Sequence, residues 1–271
     1  MAPTPSGLLH VGHARTFFWA WKRARERAGT LILRIEDIDQ ERSRPDFEQA
    51  ALEDLAWLGL DWEEGVDCGG ALGPYRQSDR ADKHEAVWRR LIEGGWVYPS
   101  THSRREISER NPGREKDGGS LFPVELRKIP SEDERRSPDP KTNWRFRVPD
   151  GERIEFIDER KGRQQWVAGV DFGDFLVWRK VGGPSYELAV VADDVDMQIT
   201  EVVRGEDLLL STARQILVYR ALGHEPPAFR HESLVCDSEG NRLSKTAGSV
   251  SIRSLRERGW TPSEVLKWRD S

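Results

Sequence analysis

Three clusters in this chain combine residue types at spacings that could do chemistry. The first is Pro3-Thr4-Pro5-Ser6-Gly7-Leu8-Leu9-His10-Val11-Gly12-His13, where a tight Pro/Gly turn delivers two histidines to the start of a helical stretch over 14–27. A helix N-terminus offers unpaired backbone N–H groups and a partial positive charge, which together suit phosphate. His10 and His13 can donate to phosphate oxygens, and Gly12 lets a nucleotide lie against the backbone. The second cluster, Arg242-Leu243-Ser244-Lys245-Thr246, places a lysine in a small-residue loop that could close over the same phosphates. These two read together as a nucleotide-activating site assembled from both ends of the chain. The third, Glu36, Asp37 and Asp39, follows a short apolar run at the carboxyl end of a strand, where open α/β sheets place their ligands.

The elements that must carry these residues are legible as periodicities. Ala14, Phe17, Phe18, Trp21 and Ala24 recur at helical spacing over 14–28, and Gly29 ends that helix. Leu31-Ile32-Leu33-Arg34-Ile35 fits a buried parallel strand. A second helix is expected over 45–58, with Pro45 in its first turn, and a third over 79–93, stopped by Gly94-Gly95. Helix, strand and helix in this order predict an α/β fold with a doubly wound parallel sheet. Residues 101–145 are charged and poor in apolar positions; segments such as 130–136 read as exposed loop or mobile, and the run at 104–136 as a solvated face without chemistry. Strand-like runs follow at 144–148, 153–157 and 174–180. The α/β pattern resumes with the apolar run at 188–192, a helix near 211–222 and a strand near 233–236. The expected organisation is a first half of the catalytic domain at 1–95 and an α+β insertion at 96–185. A second half follows at 186–240, and the loop with the start of a helical segment occupies 241–271.

Composition narrows the classes. With 271 residues, 37% hydrophobic and 33% charged, the chain can bury a full core, and no apolar run approaches the ~20 residues of a membrane helix. No basic-then-apolar signal pattern opens the chain, so the cytoplasm is the expected location. Cys68 and Cys236 are distant and unpatterned, which argues against a disulfide framework. The net charge of −5 neither supports nor excludes a nucleic-acid partner, because a global sum can hide a basic face. The eleven tryptophans read as packing rather than as base-stacking platforms, and His84, His102, His224 and His231 carry no functional signal. Nothing in the sequence points beyond a monomer.

The chain resembles the catalytic domain of class I aminoacyl-tRNA synthetases, specifically the glutamyl type, with a Rossmann-type doubly wound sheet. The opening Ala2-Pro3-Thr4-Pro5-Ser6-Gly7 and His10-Val11-Gly12-His13 are similar to the first motif of that family. Arg34-Ile35-Glu36-Asp37-Ile38-Asp39 resembles a run of the glutamyl and glutaminyl branch. So do Tyr186-Glu187-Leu188-Ala189-Val190-Val191-Ala192-Asp193-Asp194 and Thr200-Glu201-Val202-Val203-Arg204-Gly205-Glu206-Asp207. Leu243-Ser244-Lys245 resembles the second signature loop. Glutamyl-tRNA synthetases continue past that loop into a helical anticodon-reading domain, whereas this chain ends at Ser271. A glutamyl-type core without such a domain resembles the glutamyl-queuosine tRNA(Asp) synthetases, which place glutamate on the queuosine at the wobble position of tRNA(Asp).

The resemblance implies an ATP-dependent ligase that forms glutamyl-adenylate and then transfers the glutamyl group to a queuosine hydroxyl. It implies ATP bound by His10, Gly12, His13, Leu234, Val235, Ser244 and Lys245: His10 and His13 on the phosphates, Lys245 on the departing pyrophosphate, adenine near Leu234 and Val235, with His10, His13 and Lys245 catalytic. Glutamate would be held by Thr4, Glu36, Tyr186 and Arg204: Glu36 for the ammonium, Arg204 and Tyr186 for carboxylate. Magnesium is expected on the ATP phosphates, without a dedicated protein cage. Partners would be L-glutamate and queuosine-containing tRNA(Asp), with no membrane.

Two departures from the family pattern stand out. The family carries an arginine two residues before the Ala-Pro segment, a position ahead of Met1 here, so either the natural start lies upstream, the favoured expectation, or glutamate binding is impaired. Many members hold zinc in the insertion through a Cys-x-Cys pair, a tyrosine and a third cysteine. Ser100, His102, Phe122 and Leu126 stand at those positions, so no structural zinc is expected. Taken singly, the histidine pair reads equally as satisfied polar residues, Glu36 and Asp37 as a solvated loop, Arg204 as a structural ion pair and Tyr186 as core packing. Charging of a tRNA 3′ end and an inactive tRNA- or adenylate-binding paralogue remain alternatives.

Overall fold

The computed structural model describes residues 1–235 and 250–268. In chain order these form α1 (Val11–Glu26), β1 (Ile32–Leu33), α2 (Pro45–Trp57), β2 (Glu64–Gly65), α3 (Ala81–Glu93) and β3 (Val97–Ser100). Next come α4 (Arg104–Arg110), α5 (Glu132–Arg136), β4 (Asn143–Phe146), β5 (Arg153–Asp158), β6 (Gly162–Val167), β7 (Phe175–Arg179) and β8 (Gly183–Pro184). The chain continues through α6 (Tyr186–Asp196), β9 (Glu201–Gly205), α7 (Leu209–Ala221), β10 (Ala228–Glu232), α8 (Ile252–Glu257) and α9 (Pro262–Leu266). Two units result: Met1–Arg80 with Glu201–Glu206 and Arg230–Ser271, and Ala81–Thr200 with Asp207–Phe229. Among the described residues no helix is long and apolar enough to cross a membrane.

In the first unit, α1 starts at Val11, three residues before its apolar periodicity begins, because His10 caps it. Val11, Ala14 and Phe17 are its buried positions, and Arg23 and Arg25 sit in the last turn, where cations complement the helix dipole. β1 pairs in parallel with β2, Ile32 opposite Glu64 and Leu33 opposite Gly65. Its other edge is covered by the chain start, where the Arg34 N–H donates to Met1 O at 2.9 Å and the Glu36 N–H to Pro3 O at 3.0 Å. With neighbours on both sides, Leu31, Ile32, Leu33 and Ile35 are all buried, as the apolar run predicts. Regular pairing is shorter than the run, and Ile35 makes only an isolated parallel bridge to Arg76. α2 has Pro45 in its first turn and packs Ala51 and Leu55 into a core shared with Leu9, Val11, Ala14, Leu33, Val235 and Ile252.

The second unit holds an antiparallel sheet in the order β3-β4-β7-β8. Trp88 of α3 stacks on Trp178 of β7, with ring centroids 4.4 Å apart, and meets Trp144 of β4 edge-on at 5.5 Å. These tryptophans are therefore core, as expected. α6 packs between α3 and α7, and β5 and β6 form an antiparallel hairpin. β5 also takes Phe229 of β10 in parallel, opposite Asp158.

Two expectations are corrected and one unassigned run is resolved. The apolar run at 188–192, given no element type from sequence, is helical: eight successive residues of α6 from Glu187 to Asp194 are buried, so an enclosed helix shows a continuous apolar pattern. The strand expected near 233–236 lies earlier, at Ala228–Glu232, and residues 233–235 are irregular. The charged segment 101–145 contains two short helices rather than loop alone. Ser103 and Glu106 close a capping box on α4, as Ser131 and Glu134 do on α5, supplying the terminal hydrogen bonds that short helices otherwise lack.

Candidate active site

The histidine pair is built by the helix it starts. His10 is the N-cap of α1, and its Nδ1 accepts from the Gly12 N–H at 3.1 Å. In return the His10 N–H donates to Nδ1 of His13 at 3.2 Å, a reciprocal capping box made of two imidazoles. Their rings lie 3.8 Å apart between centroids. An Nδ1 that accepts from an amide carries no hydrogen, so each neutral ring holds its hydrogen on Nε2, the atom farthest from the backbone. The backbone N–H of Gly12 is thus already engaged, and the donors of this turn include Nε2–H groups. Gly12 has a second reason to be glycine: a Cβ there would stand 2.9 Å from Cε1 and 3.0 Å from Nδ1 of His10. The same hypothetical Cβ lies 3.9 Å from Cβ of Val235, so the structure brings the expected adenine-side residue to the histidine turn.

Glu36 lies three residues beyond β1, with 13% of its side chain exposed and an oxygen 3.6 Å from an Arg34 terminal nitrogen. Its backbone bond to Pro3 O sets it beside the chain start, where Thr4 is exposed. Asp37, the adjacent carboxylate, is structural. Its two oxygens accept from the Ser78 N–H at 2.9 Å and the Ser78 hydroxyl at 2.6 Å, anchoring the turn at Gln77–Arg80.

Arg204 lies on β9 and is buried, with 7% exposure. Its Nε donates to Nε2 of His231 on the neighbouring strand β10 at 3.2 Å. Two residues on from β10, Leu234 is half-buried, and its N–H donates to a Glu206 carboxylate oxygen at 3.1 Å. Val235 is buried in the core of this unit. Sequence reasoning passed over His231 and Glu206. Placing the strand at 233–236 hid the alternation that puts Phe229 and His231 on one buried face of β10.

Tyr186 belongs to the second unit, where it opens α6 half-buried behind the N-cap Ser185, whose hydroxyl accepts from the Leu188 N–H at 3.3 Å. Its neighbour Glu187 accepts from Ser211 at 3.0 Å and Gln215 at 3.1 Å on α7, pinning that first turn. Arg214, between those two on α7, donates to Glu115 at 2.8 Å and Asp117 at 2.9 Å. Burial pushes the Glu115 carboxyl up, while Arg214 beside it pulls the other way. Ser244 and Lys245 lie outside the described residues.

At two of the four positions that the resemblance assigns to zinc ligands, Phe122 and Leu126 offer no donor atom to a metal. Phe122 is buried with Tyr98 and Ile107, and Leu126 packs against them. The Arg145 guanidinium lies 4.4 Å from the Phe122 ring centroid. The Tyr98 hydroxyl donates to Asp174 at 2.6 Å, and burial with that carboxylate pushes the phenol up. Among the described residues no group of three or more His, Cys, Asp or Glu side chains is arranged to hold a metal ion.

A helix capped by the histidine signature, a parallel strand pair with Glu36 three residues beyond β1, and an arginine strand beside β10 are the features of a class I synthetase core. Residues 1–268 match the family described as "tRNA synthetases class I (E and Q), catalytic domain", and the chain belongs to that family of ligases. It is 46% identical to the glutamyl-Q tRNA(Asp) synthetase of Symbiobacterium thermophilum, over 98% of this chain and 83% of that protein. It is 43% identical to glutamate–tRNA ligase 2 of Syntrophus aciditrophicus strain SB, over 98% of this chain but 55% of that one. The crystal structure of a glutamate tRNA ligase from Elizabethkingia meningosepticum, in complex with its amino acid, superposes with a TM-score of 0.83 at 30% identity. That match covers 98% of this chain and 59% of the other. The chain therefore spans a little over half the length of the glutamate–tRNA ligases it matches and most of the length of the glutamyl-Q relative.

Proposed function

We propose that this chain activates L-glutamate with ATP and transfers it to the queuosine at the wobble position of tRNA(Asp). The observation that carries the reading is the match to a glutamyl-Q tRNA(Asp) synthetase at 46% identity over 83% of that protein's length. In the first step the α-carboxylate of glutamate attacks the α-phosphorus of ATP, forming the mixed anhydride and releasing pyrophosphate. In the second, a hydroxyl of the queuosine ring attacks the activated carbonyl and AMP leaves. Transfer of this kind depends on positioning and charge stabilisation more than on a general base.

The capping box supports the first step, because it aims two Nε2–H donors from the start of α1. Gly12 keeps that turn open, and Leu234 and Val235 offer the adenine side. Glu36 takes the ammonium of glutamate, Arg204 and Tyr186 take its carboxylate groups, and the Thr4 hydroxyl contacts the amino acid. Lys245 and Ser244 act on the phosphates by resemblance of their loop, with magnesium entering on ATP. The catalytic domain comprises 1–95 and 186–240 around the insertion 96–185, and the protein acts in the cytoplasm as a monomer.

The test is incorporation of labelled glutamate into tRNA from queuosine-containing and queuosine-lacking cells, with ATP and magnesium. Labelling of the queuosine-containing pool alone is expected. The 43% identity to a glutamate–tRNA ligase favours a second reading, 3′-end charging, which would label both pools. No labelling of either would sink both readings in favour of an inactive paralogue.

A further inference from the structure

We propose that His231 is a positioning residue for glutamate, acting through Arg204; the inference rests on the reading of Arg204 as a ligand of the substrate carboxylate. The contact is Arg204 Nε to His231 Nε2, 3.2 Å. A guanidinium donates at every nitrogen and accepts at none, so Nε2 of His231 must be the acceptor. The imidazole is therefore held with its hydrogen on Nδ1, since a ring protonated at Nε2 would point a donor at a donor.

Burial gives this contact its weight. His231 has 0% and Arg204 7% of its surface exposed, so water cannot replace a lost acceptor. The contact also fixes geometry. A planar fork binds a carboxylate well only when the two planes coincide, and the Nε bond sets the plane of the guanidinium from its buried side. β9 and β10 are adjacent strands, which places the two residues across one pairing rather than at the ends of mobile loops. Long flexible side chains bind poorly when they must be ordered on each encounter, and His231 supplies that order beforehand.

The experiment uses the full chain in glutamate-dependent ATP–pyrophosphate exchange, with separate titrations of glutamate and ATP. His231→Phe keeps a ring and removes the acceptor. It should raise the glutamate KM about tenfold, the size expected for a hydrogen bond to a charged group, with kcat and the ATP KM within about twofold. His231→Gln, whose amide oxygen can stand near Nε2, should restore most of the loss. In an Arg204→Lys background the effect of His231→Phe should vanish, because residues acting through one contact are not additive. An unchanged glutamate KM in His231→Phe, or an equal loss on glutamate, ATP and kcat, overturns the proposal while wild-type exchange still upholds the reading. Should His231→Phe not fold, failure of His231→Gln to show a shift confined to glutamate, relieved in the Arg204→Lys background, overturns it equally. Absence of exchange in the wild type overturns the reading and the proposal with it.

Discussion

His84 Nε2 lies 2.8 Å from Asp193 Oδ1, with 1% and 0% of their side chains exposed. This pair joins α3 to α6 inside the second unit and takes Asp193 out of consideration for substrate contact. Replacing His84 with Leu leaves a carboxylate sealed from water without its imidazole. The expected loss is about 3 kcal/mol of stability, read from urea unfolding. A change below about 0.5 kcal/mol would show that the pair contributes nothing net.

Asp54 on α2 presents the opposite case. It is 1% exposed, and neither carboxylate oxygen meets a hydrogen-bond partner. Burial raises its pKa from 3.8 to about 6, against the pull of Arg253 and Arg256 on α8. A carboxyl whose folded pKa lies above its unfolded value destabilises the fold fully above the folded pKa. That penalty is relieved as the pH falls from about 6 toward 4. Asp54→Leu should therefore raise stability by roughly 2 kcal/mol at pH 7.5 and by little at pH 4.5. Thermal melts across that range decide it, and a gain independent of pH would contradict the assignment.

Gly12→Ala separates function from stability. Alanine favours a helix over glycine by about 1 kcal/mol, which offsets the roughly 1 kcal/mol lost with the His10 cap, so the fold should hold. The new Cβ, however, would stand 2.9 Å from the His10 ring and push the imidazole from its capping position. Glutamate-dependent pyrophosphate exchange is expected to drop at least about tenfold, with no fall in melting temperature. Full exchange activity would mean that the ring's position is not critical.

The insertion should be indifferent to chelators. Phe122 and Leu126, at two of the positions the resemblance assigns to metal ligands, pack instead with Tyr98 and Ile107 in a small core. Treatment with a zinc chelator is expected to leave the unfolding curve unchanged, whereas Phe122→Ala should cost about 3 kcal/mol. A melting temperature lowered by the chelator would count against this account.

Much of the scaffold was readable because its signals are local. Pro45 fixed the start of α2 to the residue, and the run from Leu31 to Ile35 announced a strand buried on both sides. The failures arise where tertiary surroundings decide. α6 is enclosed by α3 and α7, which erases the amphipathic stripe that marks a surface helix. The Ser103 and Glu106 capping box was present as a pattern, but the charge density around it read as loop. In the candidate site, His10 and His13 were legible from type and spacing. That they cap each other depends on backbone geometry, and the pairing of His231 with Arg204 depends on strand adjacency, so neither is encoded at short range.

The histidine capping box bears on how a site for a polyanion can control its own protons. Imidazole tautomers are commonly fixed by a carboxylate on the second nitrogen. A carboxylate beside a triphosphate would repel it, and the first turn of α1 contains no acidic residue. Here two backbone amides do the orienting, at Gly12 and His10. They carry no net charge, so these two contacts orient both rings without adding an anion of their own beside the nucleotide of the proposed reaction.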